Sequence, residues 1–263
     1  MHLAGSDVLG QPHRLAQVGT ADRSDRVDSF FSAPGIALVA LSSIDVYRAY
    51  EALHRGMRSD LVPLTEQSPL RTARYIDGPR CENLEVEEAY PGAGATILRL
   101  GAIYGEHDYQ HRFEPVLRRV RAGRPQMPIG AGSFAGSRVY AGDVAQAVLA
   151  ALGTLQGAGQ CLNIVEGQAA PMRLFYEQVI NAAGASLELV RVPDEALPSD
   201  PQETGTLSQH LLVSPLKARD VLGWSATASK QILRRAVAWH LSHPPPDADT
   251  DFTGDDGALA AAR

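Results

Sequence analysis

The run from Ile36 to Tyr47, I-A-L-V-A-L-S-S-I-D-V-Y, constrains the fold more than any other stretch. An unbroken apolar run that ends in two serines and a turn reads as a strand buried on both faces, as at the centre of a parallel α/β sheet. Ligands of open α/β sheets sit just beyond the carboxyl ends of the strands, which places Ser42 and Ser43 at such a lip.

The chain around this run has 263 residues, 44% of them hydrophobic, enough for one large domain or two unequal lobes. A net charge of −6 is an ordinary balance and argues against a nucleic-acid surface. The two cysteines, Cys81 and Cys161, are too few for a disulfide framework, and the eight scattered histidines form no HExxH. No metal site is expected. No apolar run approaches the roughly 20 residues of a membrane span, and Met1 to Leu15 is too polar for a signal peptide. The cytoplasm is the default expectation.

Periodicity and breakers divide the rest of the chain. Helices are expected over Glu82–Tyr90, around Phe113–Val120 with Pro115 in the first turn, and from Asp143 to Leu152. Strands are expected at Ala95–Leu100, Gln160–Val165 and Leu187–Val192. Further helices are expected at Met172–Ala183, closed by Gly184, at Ser214–Leu222, stopped by Gly223, and at Ala228–Leu241. The alternation argues an α/β fold with a parallel sheet. The expected organisation is an N-terminal segment 1–35, a Rossmann-like α/β core 36–165, a small C-terminal substrate lobe 166–242 and a disordered Asp-rich tail 243–263.

Five stretches, in order, resemble the extended short-chain dehydrogenase/reductases, and among them the NAD-dependent epimerase/dehydratase family that acts on nucleotide sugars. They are L-S-S-I-D-V-Y (41–47), I-L-R-L-G-A-I-Y-G (97–105), R-V-Y-A-G-D-V-A-Q-A (138–147), C-L-N-I-V-E-G (161–167) and K-A-R-D-V-L-G-W (217–224). The resemblance implies NAD or NADP as cofactor and a small-molecule substrate, a nucleotide sugar. It implies that Ser43 hydrogen-bonds the reacting hydroxyl, and that Ser42, Arg99, Leu100, Gly101 and Tyr104 lie towards the nicotinamide, with Gly105 in the same loop. Ser43 reads equally as a cap on a strand end, and Asp143 first as a helix N-cap.

The family's pattern also has parts this sequence departs from. Its acid/base is a tyrosine four residues before a lysine, whose charge lowers the tyrosine pKa. One register places Pro79 and Asn83 at those positions and another Asp77 and Cys81, while Tyr75 leads to Pro79 and Tyr90 to Gly94. The first lysine in the chain is Lys217. Tyr75, with Arg80 as its cation, is the remaining catalytic candidate. The family's G-x-x-G-x-x-G phosphate loop is represented only by Gly5 and Gly10, with Asp7 between them. A βαβ unit needs about 30 residues, so the stretch from Gly10 to Ile36 is too short for the usual adenosine-binding half. The N-terminal half is therefore expected to be truncated or remodelled.

Arg112, Arg118, Arg119, Arg121 and Arg124 form a basic stretch that reads as a solvated face, or as a grip on a substrate diphosphate. Arg138 is a second candidate for substrate binding. Three functions stay open: an NAD(P)-dependent epimerase/dehydratase-like enzyme impaired in dinucleotide binding and hydride transfer, a non-catalytic relative binding a ligand or partner, and a redox-neutral enzyme reusing the substrate cleft. Sheet edges left open by missing strands predict a homodimer or a partner chain.

Overall fold

Three parallel strands carry the structure, and all three come from the apolar runs. The computed structural model describes residues 37–74, 82–90, 94–227 and 230–262. Strand β1 (Val39–Ser43) leads through a 3-10 turn (Ile44–Val46) into α1 (Arg48–His54). Helix α2 (Asn83–Ala89) precedes β2 (Thr96–Leu100), and β3 (Ala102–Tyr104) follows it directly. Then come α3 (Glu114–Arg121), β4 (Gln126–Ile129), β5 (Arg138–Tyr140), α4 (Ala141–Leu152) and β6 (Cys161–Ile164). The chain continues through α5 (Met172–Ala182), β7 (Glu188–Arg191), α6 (Leu216–Leu222), α7 (Lys230–Ser242) and α8 (Thr253–Ala261).

The main sheet has the order β1-β2-β6, parallel throughout. Two short parallel pairs, β3-β5 and β4-β7, lie beside it. Parallel neighbours need crossover connections, and helices supply them, as the alternating pattern predicts. Among the described residues no helix is long and apolar enough to cross a membrane.

The strand buried on both faces is β2, not β1. Every residue of β2 is buried, whereas Leu41 in the middle of β1 is 47% exposed. The physical reason is position: β2 lies between two neighbours, and β1 is at the edge of the described sheet. Leu98, Leu162, Leu100, Ile164, Val139 and Ala147 pack together between the sheet and α4. A second core joins Phe113, Val116 and Leu117 to Met127, Ile129, Phe175, Val179 and Val237. Pro115 sits in the first turn of α3, where its missing N–H costs nothing.

Two of the distant motifs meet. Helix α6 ends at Gly223, whose φ of 64° is the left-handed conformation glycine adopts without strain. The turn presents Trp224, whose indole N–H donates to the Asp143 carbonyl at 3.0 Å. Asp143 itself lies in the first turn of α4 rather than at its N-cap, and its carboxylate accepts the Thr227 N–H at 2.9 Å. The buried Trp224 bond ties the K-A-R-D-V-L-G-W segment to the helix.

The C-terminal end corrects a further expectation. Residues 253–261 form α8 instead of a disordered tail, because Asp255 is buried against Arg119. The same contact corrects the reading of α3 as a solvated basic face, since Arg118 and Arg119 are both buried. The ends of Gly5–Gly10 and of the Tyr75–Cys81 segment lie outside the described residues.

Leu98 is fully buried in the central strand. Leu98→Ala is expected to cost about 2–5 kcal/mol, the usual range for a core leucine. Urea denaturation checks it, and a loss below about 1 kcal/mol would contradict the placing of β2 at the centre of the core.

Candidate functional site

The parallel register places Ser42 of β1 opposite Arg99 of β2, and Arg99 opposite Asn163 of β6. A polar residue thus stands on the same rung of all three strands, near their carboxyl ends. All three side chains are buried. A charged guanidinium there requires an anion, since an unpaired buried charge costs several kcal/mol.

Glu87 of α2 is that anion. It takes Arg99 Nε at 2.9 Å and the terminal nitrogen at 2.7 Å, a two-pronged pair, and it also accepts the Ser42 hydroxyl at 2.7 Å. The Tyr47 hydroxyl donates to Asn163 Oδ1 at 2.8 Å and accepts from Arg99 at 3.0 Å, while the guanidinium lies over the Tyr47 ring at 4.9 Å. Glu66 closes the far side: its carboxylate accepts the Asn163 N–H at 2.8 Å. Burial tends to lower the Arg99 pKa, but the bonds to Glu87 outweigh it and hold the pKa above the ordinary value. Burial pushes the Tyr47 hydroxyl up, offset in part by Arg99. Both groups therefore keep their protons at neutral pH.

Ser43 lies next to this network and outside it. Its hydroxyl oxygen accepts the Asp45 N–H at 3.2 Å, the cap that begins the 3-10 turn. Asn83, which one register sets at the family's lysine position, donates its amide to both oxygens of Asp45, at 3.1 and 2.9 Å. Burial raises the Asp45 pKa, opposed by Arg71 and Asn83. Arg71 pairs with buried Glu82 and donates Nε to the Asp45 carbonyl at 2.7 Å. The lip beyond β1 is thus a partly exposed group of Ser43, Asp45 and Asn83.

The other expected residues lie apart. Tyr104 ends β3 and donates its hydroxyl to Glu166 at 2.7 Å. Burial raises the Glu166 pKa, against the lowering effect of the Tyr104 bond and the Arg138 charge. The Tyr104 pKa is pushed up by burial and by the same carboxylate. Arg138 stacks on Phe175 with its guanidinium carbon 3.9 Å from the ring centroid, and donates to the carbonyls of Gly136 and Ala170. Arg112 donates to the Ile103 carbonyl at 2.6 Å and to Asp108 at 2.7 Å. Ser42 and Arg99 come together, as do Tyr104 and the environment of Arg138. Tyr75 lies outside the described residues.

Glu87 and Asn163 were missed by sequence reasoning. Asn163 carried a signal, a lone amide inside the apolar C-L-N-I-V strand that matches the lone Arg99 in I-L-R-L. Glu87 carried none, because it sits in L-E-V-E-E-A among exposed Glu85 and Glu88.

Residues 36–164 match the family described as NAD dependent epimerase/dehydratase. That match spans just under half of the chain, and over it the chain is similar to this family. Solved structures share its fold. RMD from Pseudomonas aeruginosa, complexed with NADPH, is 19% identical with a TM-score of 0.57, covering 78% of this chain and 67% of its own. The dTDP-glucose 4,6-dehydratase of Bacillus anthracis, in complex with NAD, is 17% identical with a TM-score of 0.59, covering 84% and 66%. The UDP-glucuronic acid 4-epimerase of Bacillus cereus, also with NAD, is 15% identical with a TM-score of 0.58, covering 82% and 65%. The chain therefore spans about two thirds of the length of these structures. No curated protein sequence matches it.

The described residues that the resemblance sets towards the nicotinamide have their polar groups engaged within the chain. The polar groups of Ser42, Arg99 and Tyr104 are committed to Glu87, Tyr47 and Glu166. Leu100 is buried, and a Cβ on Gly101 would stand 2.9 Å from both the Ser137 carbonyl and Val165. Gly101 is there to let β2 approach the chain's own strands, so no step is routed through the cofactor.

Two measurements follow from this chemistry. Glu87→Ala strands the Arg99 charge and is expected to cost about 3–5 kcal/mol, most of it recovered by the double variant Glu87→Leu/Arg99→Met. A double variant as unstable as the single one in urea would refute the assignment of Glu87 as counter-ion. Glu166 has a folded pKa above its unfolded value, so its contribution is full below the unfolded pKa and is lost as pH rises through the folded one. Glu166→Gln should therefore flatten the fall in Tm with pH above about 4.3. An unchanged pH–Tm slope in the variant would reject the shift.

Proposed function

We propose that this chain is an NAD(P)-dependent epimerase/dehydratase-like protein, related to nucleotide-sugar-modifying enzymes, whose dinucleotide binding and hydride transfer are impaired. The observation that carries this reading is the two-pronged Arg99–Glu87 pair. It neutralises the Arg99 guanidinium, one register position from the rung of Ser43, and holds α2, in the connection from β1 to β2, against the sheet. A hydride-transferring site of this family needs an acid/base tyrosine with a free neighbouring cation. Tyr47 is fully buried and its hydroxyl is engaged on both sides, so it holds its proton and touches no ligand.

What the lip can do is bind a hydroxylated ligand. The Ser43 oxygen is used by Asp45 N–H, which leaves its O–H for a ligand oxygen. Asp45 is an acceptor held between Arg71 and Asn83, suited to a sugar hydroxyl. The solved relatives MoeE5, in complex with UDP-glucose and NAD, and the UDP-glucuronic acid 4-epimerase support a nucleotide sugar as the ligand class. A homodimer is the proposed assembly, through β1, the edge of the described sheet, where Leu41 is exposed. A second reading keeps the cleft for a redox-neutral reaction, with the Asp45 carboxylate held at the lip by Asn83 and Arg71.

Titration calorimetry separates these readings. NAD(H) and NADP(H) are expected to give no saturable heat in the micromolar range, and UDP-glucose to give weak binding that Ser43→Ala and Asp45→Ala each weaken. Micromolar binding of either dinucleotide overturns the impaired reading. UDP-glucose heats that both variants leave untouched remove the lip from ligand binding.

A further inference from the structure

The most concentrated charge in the structure lies away from that lip, where α3 meets the C-terminal segment. Arg119 is fully buried and grips Asp255 in two-pronged fashion, at 2.7 and 2.6 Å, while also bonding Asp200 at 2.6 and 3.1 Å. Arg118 donates to Asp200 at 2.8 Å and to the Asp251 carbonyl at 3.0 Å, with the Asp249 carboxylate 3.3 Å away. Arg124 pairs with Asp256. The ring of Phe252 lies under both Arg118 and Arg124, at 4.7 and 5.2 Å from their guanidinium carbons. The C-terminal segment thus presents carboxylates and a flat ring to three arginines.

Without that segment the charges do not balance. Arg118, Arg119 and Arg124 would face Asp200 alone of the four aspartates, since Asp249, Asp255 and Asp256 all come from the segment. Nor is the pairing complete with it in place. The Nε of Arg124 is buried with no acceptor, beside a cavity of about 290 Å³ lined by Arg124, Pro125, Gln126, Asp256, Leu259 and Ala260. The segment is also weakly helical on its own account. Nine residues are too few for a stable isolated helix, and Gly254 and Gly257 each cost about 1 kcal/mol relative to alanine. Its order comes from docking, which is why its composition reads as a disordered tail.

We infer that the face formed by Arg118, Arg119 and Arg124 is a binding site for a diphosphate group, and that residues 249–262 are a built-in competitor that latches it shut. A diphosphate supplies the several acceptor oxygens that forked guanidinium groups match, and enters first at the cavity beside Arg124. An aromatic base attached to it takes the place of Phe252 against Arg118 and Arg124. The site stands whether or not the chain binds a dinucleotide at the sheet.

Hydrogen exchange on the full-length chain tests this directly. Pyrophosphate is expected to raise exchange across 249–262 saturably, leaving the amides of β2 and α5 protected, while sodium chloride at matched ionic strength does not. Asp255→Asn should lower the half-saturating pyrophosphate concentration about tenfold, which corresponds to about 1.4 kcal/mol of latch affinity. UDP acting at lower concentration than pyrophosphate assigns the Phe252 position to a base, and equal potency assigns the site to the diphosphate alone. A segment that stays protected at every pyrophosphate concentration into the millimolar range overturns the inference. So does a loss of protection that sodium chloride reproduces, since that is screening of the ion pairs.

Discussion

The two-pronged pair between Arg99 and Glu87 is the interaction on which the arrangement of the sheet depends. Arg99 sits in the strand with the most buried environment, where an unpaired guanidinium is untenable. Its partner comes from α2, the helix that connects β1 to β2, so one ion pair fixes the crossover against both strands it joins. Ser42 and Tyr47 extend the same bond to β1, and Asn163 extends it to β6. A single charge neutralisation thus sets the relation of three strands and a helix, with Ser42, Tyr47 and Asn163 bonded around it.

A second charge cluster does the same for the other end of the chain. Arg119 is as buried as the core leucines, yet its counter-ions come from positions 200 and 255, far along the sequence. Asp200 bridges Arg118 and Arg119 of α3, and hydrogen bonds from Arg119 and Arg118 outweigh burial to hold its pKa below the usual carboxylate value. Its stabilisation is present above the unfolded carboxylate pKa and is lost as pH falls through the depressed one. The two clusters differ in kind. The Arg99 network is closed on every side by residues within the main sheet and its crossover, whereas the α3 cluster is completed by a terminal segment of low intrinsic order.

How much of this was legible in the sequence follows from the range of each interaction. The strands β2 and β6, the helices α3 to α7 and the Gly223 stop were readable because each depends on local periodicity or on one residue's backbone freedom. Strand β1 was read correctly as a strand; among the described residues it is the edge of the main sheet and Leu41 is exposed, since an apolar run reports burial capacity and not the number of neighbours. Arg99 was identified as a site residue by its motif, but its partner was not, because Glu87 looks like Glu85 and Glu88 until the helix is set against the sheet. The tail was read as disordered for a sound reason: nothing within residues 243–263 accounts for its order. The ordering groups lie about 130 positions away in α3.

Ser42 and Ser43 are adjacent in one motif and are held by different means. A serine at a strand end is held in place by local geometry alone, because its oxygen caps the following turn regardless of what lies beyond it. Its neighbour Ser42 is different, being held by Glu87, which is held in turn by Arg99. Once a buried arginine–glutamate pair occupies that rung, returning it to a ligand-facing role requires withdrawing one partner and leaving the other charge uncompensated. The pair is therefore self-maintaining: either residue makes the other indispensable. That reciprocity accounts for a sheet whose strongest polar groups face one another.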